Sequence, residues 1–226
     1  MVCMVWDTKV RLLVNWLLEP ERWAWRIGYA RVAGTDEAGR GALAGPLVAA
    51  AAVLPNDQEL AGLEGLTDSK LLSPEKRLEF FRVIIEVAEC WSYACIAPSI
   101  IDSGGLQPAN LSAMREAVQG LEPAPDIVMV DYYKVNDLKI PQWGLVHGDR
   151  VCRSVAAASV LAKVIRDHLM MFWAVRYPEY GFERNKGYGT EEHLKALDDI
   201  GSSPCHRASF RGVNQLELEL GEGYGA

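Results

Sequence analysis

No apolar stretch in this 226-residue chain is long and charge-free enough to cross a bilayer. The longest candidate runs from Leu43 to Leu54, short of the roughly 20 residues a membrane helix needs. The N-terminus, MVCMVWDTKVRLLVNWLLEP, does not read as a secretion signal. Charges interrupt its apolar stretch, and no small-residue cleavage site follows. Cysteine is sparse and scattered: Cys3, Cys90, Cys95, Cys152 and Cys205, an odd number with no Cys-x-x-Cys pair. That argues against a disulfide framework and against a zinc cluster, so a reducing cytoplasm is the expected compartment. Internal repeats and low-complexity tracts are missing as well. So is a basic excess: 23 Lys and Arg against 30 Asp and Glu leave a net charge of −7. Taken alone, that charge argues against a nucleic-acid partner. Its distribution argues less. Glu217, Glu219 and Glu222 in the tail supply part of it, while basic residues gather at 70–82, 150–166 and 184–211. Three such segments can converge into one patch or simply face water.

What is present is ordinary globular material. Half of the residues are apolar and 23% are charged, enough for a sizeable core in one large domain with at most a small appendage. Residues 6–26 set Trp6, Leu12, Leu13, Trp16, Leu17, Trp23 and Trp25 among charges, a helical arm expected to break at Pro20 and to pack on the domain. Residues 30–36 read as a strand. GPLVAAAAVL, 45–54, reads as a second strand buried on both faces, because no polar residue alternates. Ser73 followed by Pro74 and Glu75 predicts a helix start. WSYACIAP is a third strand, PANLSAMREAVQGL a helix, and PDIVMVDYY a fourth strand ending at Asp131. WGLVHGD is a short extended run ending at Asp149. A long helix follows from Arg153 and stops near Pro178. A last helix has Thr190 as N-cap and Gly201 beyond its end. This order predicts an α/β domain with a mixed sheet flanked by helices and a helical C-terminal region. The expected division is an arm over 1–27, a catalytic domain over 28–180 and a C-terminal region over 181–226.

Acids fall at these predicted strand ends: Asp36 with Glu37, Asp131, and Asp149. Open α/β sheets gather ligands at strand ends. Converging carboxylates repel unless a cation neutralises them. An oxygen-only set without His or Cys suits a hard ion such as Mg²⁺ or Mn²⁺, and two-ion sites of this kind cleave phosphodiesters. Adjacent strand residues point to opposite faces, so Asp36 and Glu37 share a site only where the strand ends or twists. Gly39 and Gly41 offer such a break and leave backbone N–H groups open to a ligand. The alternative is that each acid caps a helix or faces water, and the pattern alone goes no further.

The residues resemble a known family. AGTDEAGRGALAGPLVAAAAVLP is similar to the signature of bacterial ribonuclease HII, and the resemblance runs in order from Gly28 to Phe210 through LTDSKLLSPEKR, IIDSGGLQPANLSAM, VMVD, HGDRVCRSVAAASVLAKVIRD, NKGYGT and SPCHRASF. Several such motifs in order carry far more weight than one. The resemblance implies an RNase H-like fold. It implies hydrolysis of RNA in RNA/DNA hybrids and incision 5′ of single ribonucleotides in duplex DNA, leaving 3′-hydroxyl and 5′-phosphate ends. It implies two Mg²⁺ or Mn²⁺ ions on Asp36, Glu37, Asp131 and Asp149, with Asp36 bridging them. By the same resemblance Gly39, Arg40 and Gly41 sense the ribose 2′-hydroxyl, and Tyr188 packs on the neighbouring sugar at the RNA-to-DNA junction. Ser69, Lys70, His206 and Arg207 stand near the phosphate backbone, and a monomer is expected. Departures from the family pattern are Asn185 in place of His, Gly105 and Asn110 in place of Asn and Thr, and Arg150 and Cys152 at usually small positions. Asp167, although a family position, reads as a helix-surface or supporting acid. The competing readings are another two-metal nuclease such as a junction resolvase, and a binding module without catalysis. Ribonuclease HIII would need an extra N-terminal domain, for which about 30 residues are too few.

Overall fold

The computed structural model describes residues 19–56 and 60–213. Most of the Trp-rich arm, the three residues 57–59 and the acidic tail lie outside the described residues. The described chain forms a five-stranded sheet: β1 (Val32–Ala38), β2 (Leu47–Val53), β3 (Cys90–Ile96), β4 (Ile127–Asp131) and β5 (Gln142–Leu145), in the order β3-β2-β1-β4-β5. β1, β2 and β3 pair antiparallel, while β1–β4 and β4–β5 are parallel, so the sheet is mixed.

The helices are α1 (Glu19–Arg26), α2 (Pro74–Val87), α3 (Pro98–Gly104), α4 (Leu106–Gln119), α5 (Gly148–Val151), α6 (Arg153–Arg176), α7 (Phe182–Asn185) and α8 (Glu191–Ile200). One face of the sheet carries α4, whose Ala109, Ala113, Met114 and Ala117 meet Ala49, Ala51, Val128 and Val130. The other face carries α6 and α2, whose Ala156, Ala157, Val160, Phe80 and Ile84 meet Val48, Ala50 and Ala52. β2 is therefore buried along its whole length, which is why it shows no polar alternation.

Small residues set the layer spacing. A Cβ on Gly34 would stand 2.1 Å from the backbone carbon of Ser154, so the first turn of α6 lies directly on β1. That turn is capped from outside. Cys152 offers no side-chain cap, but Glu21 of α1 accepts the Ser154 backbone N–H at 2.8 Å and its hydroxyl at 3.1 Å. Trp23 of the same helix packs on Trp143 with ring centroids 4.9 Å apart. Pro20 sits in the first turn of α1, where a missing N–H breaks no helical bond, and the described helix is not interrupted there. Ser73 caps α2 by accepting from Lys76, and Thr190 caps α8 by accepting from His193, as the sequence predicts.

Two boundaries differ from expectation in ways that matter for the acids. β1 does not end at Asp36: pairing with β2 continues through Glu37↔Ala49 to Ala38↔Val48. Nor does a strand end at Asp149. β5 stops at Leu145, His147 turns left-handed at φ 56, and Asp149 lies in the first turn of α5.

Candidate active site

Asp36 and Glu37 occupy opposite faces of β1, as strand geometry requires. Asp36 shares its face with the Ala50 and Ala52 layer under α6, where the Ser159 hydroxyl steadies its carboxylate. Glu37 turns toward α4 and the buried Asn110. The parallel register Thr35↔Val130 brings Asp131 alongside, at the end of the neighbouring strand. Its Oδ1 accepts the Gly148 N–H at 2.7 Å, and that bond ties the start of α5, hence Asp149, to the end of β4. Two acids thus come from one strand, one from its parallel neighbour, and one from a helical turn held by the third.

The electrostatics are those of crowded acids. Burial, then Glu37 and Asp131, push the Asp36 carboxyl well above its ordinary range. Burial raises Glu37, with Arg40 opposing, and raises Asp131, with the Gly148 N–H opposing. Asp149 is pushed up to about 6 by burial and then by Asp68 and Asp131. Lys70 stands in the same field. Burial alone would lower it, but Asp36, Asp68, Asp149 and Glu37 raise it. No three Asp, Glu, His or Cys side chains among the described residues stand close enough to form a preassembled metal-binding cluster. These acids share a field rather than a closed ligand shell. Oxygen donors that raise one another's pKa, with no imidazole or thiol among them, fit a hard divalent cation.

The acids floor a cleft of about 750 Å³. Glu37 and Asp131 line it, together with Gly39, Arg40, Gly41, Ser69, Lys70, Lys163 and Tyr188. Asp36 and Asp149 lie just behind, 5% and 6% exposed. The Gly-Arg-Gly turn has two different reasons for its glycines. Gly39 has φ +93, and a Cβ there would meet Arg166 Nε at 2.0 Å. Around Gly41 a Cβ would meet nothing within 4 Å, so the protein's own packing does not require that glycine. Arg40 is pinned between them: it donates to the Tyr133 hydroxyl at 2.7 Å and to Gln107 at 3.2 Å, and stands 3.5 Å from Glu37.

Of the four residues expected near phosphate, Ser69 and Lys70 border the cleft and only Lys70 is exposed. Ser69 is buried, its hydroxyl 2.9 Å from that of Ser159. Arg207 is fully buried and donates to the carbonyls of Gly45 and Arg40, at 2.9 to 3.2 Å. It holds the Gly-Arg-Gly turn from behind. Arg166 does the same for the next loop, donating to the carbonyls of Pro46, Ala44 and Lys186. His206 is buried too and faces inward. Its Nδ1 accepts from Ser203 N–H at 2.9 Å, so its Nε2 carries the proton toward His193 Nε2, 3.0 Å away. His193 then donates from Nδ1 to the Tyr188 carbonyl at 2.9 Å. This relay requires both rings neutral. Burial, then His193, lowers His206 to about 4, and burial lowers His193. Tyr188, so placed, lies under Lys163 and Arg166, whose charges stand 5.4 and 5.2 Å from its ring centroid. Asn185 fixes the same turn by bonding Tyr180 O at 2.6 Å and Gly187 N–H at 2.7 Å, so an amide serves there without a histidine.

Asp167 pairs with Lys163 at 2.7 Å, and Arg150 reaches Asp68 at 3.3 Å rather than facing only solvent. Three contributions escaped sequence reasoning, which named Asn110 only as a departure from the family pattern. Asp68 is a further buried acid, capping the turn 69–71 and raising Asp149. Asn110, fully buried, has no hydrogen-bond partner of ordinary geometry for its amide nitrogen or oxygen, yet lies against Glu37 and favours its charged form. Arg166 holds two loops. The first could have been sought as the acid of Thr-Asp-Ser-Lys. The other two carry no local signal, because each acts across the fold.

A mixed sheet of this order, with acids on its central strand, on the parallel neighbour and on the following turn, defines a nuclease of the ribonuclease H class. Residues 33–213 match the family model for ribonuclease HII, and the chain belongs to that family. It is similar to the ribonuclease HII of Pelotomaculum thermopropionicum, at 52% identity over 186 residues, covering 82% of this chain and 70% of that protein. Among solved structures it resembles ribonuclease H2 from Pyrococcus horikoshii OT3. The TM-score is 0.74 and the identity 25%, over 85% of this chain and 99% of the other. A Bst ribonuclease HIII, solved with Mn²⁺, shares the fold at TM-score 0.65 and 21% identity, over 88% of this chain and 72% of that one. The chain is thus a ribonuclease H enzyme, and its family supports endoribonuclease activity on RNA/DNA hybrids.

Proposed function

We propose that this enzyme also incises duplex DNA on the 5′ side of a single embedded ribonucleotide, leaving 3′-hydroxyl and 5′-phosphate ends, by two-metal-ion catalysis. The observation that carries the metal reading is the set of four carboxylates at the foot of an open cleft, all raised by burial and three of them by one another, with Asp68 acting on Asp131. Asp36, Glu37, Asp131 and Asp149 would hold Mg²⁺ or Mn²⁺. When bound, such ions supply an activated water and neutralise charge on the phosphate and the leaving oxygen. The chain's own groups do the rest. The Gly148 N–H orients Asp131, and the Ser159 hydroxyl orients Asp36. Lys70 offers its charge to a phosphate at the cleft rim.

Discrimination of ribose is assigned to the turn Gly39–Gly41. The open space at Gly41 lets a 2′-hydroxyl approach the backbone, and Arg207 keeps that backbone from moving away. Tyr188, held by its histidine relay, supports the adjoining sugar. His206 and Arg207 act through this positioning rather than by touching phosphate. The enzyme is proposed to act as a monomer.

The test is a DNA duplex carrying one ribonucleotide beside a matched all-DNA duplex, each with Mg²⁺ or Mn²⁺, for the wild type and Asp131→Asn. A metal-dependent cut 5′ of the ribonucleotide, lost in the variant and in all-DNA, is expected. Cutting of long hybrids without cutting at the single ribonucleotide would remove the junction-reading part of the proposal. Equal cutting of all-DNA would remove the role of the Gly-Arg-Gly turn.

A further inference from the structure

Directly after Asp131 the chain places a tyrosine where a tyrosine is poorly tolerated. Tyr132 has φ +62, the left-handed region that large L side chains rarely adopt. Its backbone has a clear task there. Tyr132 N–H donates to the Leu145 carbonyl at 2.8 Å, and Tyr133 N–H turns back to the Asp131 carbonyl at 2.7 Å. This tight turn closes β4 beside the loop that brings Gly148 to Asp131. Glycine would perform that task without strain. The side chain therefore needs its own explanation, and the fold provides little of one. The ring is 68% exposed, and its aromatic neighbour is Tyr133, edge-on at 5.3 Å. It lines the cleft beside Val146, itself 61% exposed, and His147, also left-handed. Strained residues persist where function holds them.

We propose that Tyr132 is a substrate-binding residue whose ring face packs on the sugar of a nucleotide flanking the scissile phosphate, with Val146 extending the apolar wall. A duplex keeps its bases stacked on one another. What it presents at backbone level to an exposed ring is the C–H face of a sugar. Tyr133 backs this platform and is itself fixed by Arg40, which links the wall to the Gly-Arg-Gly turn. The inference rests on the reading of this cleft as the nucleic-acid site and adds a second aromatic contact, on the β4 side, to Tyr188.

The test compares Tyr132→Gly and Tyr132→Phe with the wild type. Melting temperature, kcat and KM are measured on an RNA/DNA hybrid. Affinity for the same hybrid is measured by fluorescence anisotropy with Ca²⁺ in place of the catalytic ion. Tyr132→Gly is expected to melt no lower than wild type, because strain is relieved, while KM and Kd rise about ten-fold, the scale of one ring face left unburied. Its kcat should stay within about two-fold, since no acid is touched, and Tyr132→Phe should behave as wild type. Unchanged KM and Kd in Tyr132→Gly would overturn the proposal. So would a fall in its melting temperature, which would make the ring a structural prop, or an equal loss in Tyr132→Phe, which would make the hydroxyl the contact. The binding arm separates this outcome from failure of the incision reading: the wild type can bind hybrid through Tyr132 whether or not it cuts at a single ribonucleotide.

Discussion

Two buried polar regions flank the same cleft and obey opposite rules. At its foot, Asp36, Glu37, Asp131, Asp149 and Asp68 crowd like charges, and each of the first four is raised by burial and by its neighbours. Behind Tyr188, Arg166, Arg207, His193 and His206 are as deeply buried, yet their donors and acceptors meet backbone groups or each other. Arg207 is lowered to about 9 by burial and then by the charge of Arg166. The first region stores repulsion that a cation relieves. The second is neutral or satisfied and gives the first a rigid wall. On the proposed reading, catalysis sits where the polar groups are unfulfilled, and rigidity where they are fulfilled.

The contrast is broken most severely by exchanging single groups across it. Asp131→Asn should lower kcat by about a thousand-fold or more, several kcal/mol of lost transition-state stabilisation. It should leave the melting temperature equal or higher, because a crowded charge is gone; a parallel fall in both would show that the acid holds the fold. Arg166→Met should do the reverse. Three carbonyls, two in fully buried bonds, lose their donors at roughly 1 kcal/mol or more each, so thermal melting should come about 10 °C earlier.

The glycines sharpen the comparison at finer scale. Gly39→Ala drives a methyl into Arg166 from a positive φ and should destabilise by about 1–3 kcal/mol. Gly41→Ala meets nothing in the protein and should melt as wild type. Its cut at a single ribonucleotide should nevertheless fall more than ten-fold. If Gly41→Ala cuts normally, the 2′-hydroxyl does not approach there.

The smallest effects are those of pH. The imidazole of His206 titrates near 4 in the fold against an ordinary 6.5. Above pH 6.5 it is neutral folded or unfolded. Below, the unfolded chain takes the proton first, so stability is lost as pH falls from about 6.5 to about 4. Asp149 runs the other way: raised to about 6 from 3.8, it takes its proton first in the folded state and adds stability over that fall. Melting temperature against pH should therefore drop less steeply in His206→Gln than in wild type. Added Mg²⁺ should raise the melting temperature at pH 7.5 and raise it less at pH 5.5, where Asp149 keeps its proton.

Local signals were legible wherever a few neighbouring residues settle the structure. Ser73 and Thr190 cap their helices because an N-cap needs only its own first turn. β2 is buried on both faces because seven small apolar residues in a row leave no face for water. The four acids could be picked out from the motifs, but their placement could not. Asp149 reads as a strand end from WGLVHGD, yet it belongs to a helical turn fixed by Asp131, 18 residues earlier. His206 and Arg207 look like surface basic residues in SPCHRASF. Arg207 is held inward by carbonyls of Arg40 and Gly45, some 160 positions away, and His206 by His193 across the C-terminal region.

The sequence by itself determined the family, the order of strands and helices, the layer of small residues and the identity of the acids. Each is carried by motif, periodicity or side-chain volume within a short window. Tertiary structure alone decided which acids face one another, which basic residues turn inward, and which tyrosines enter the cleft. Charge crowding, desolvation and satisfaction of backbone carbonyls depend on distances between segments, and no local pattern encodes those distances.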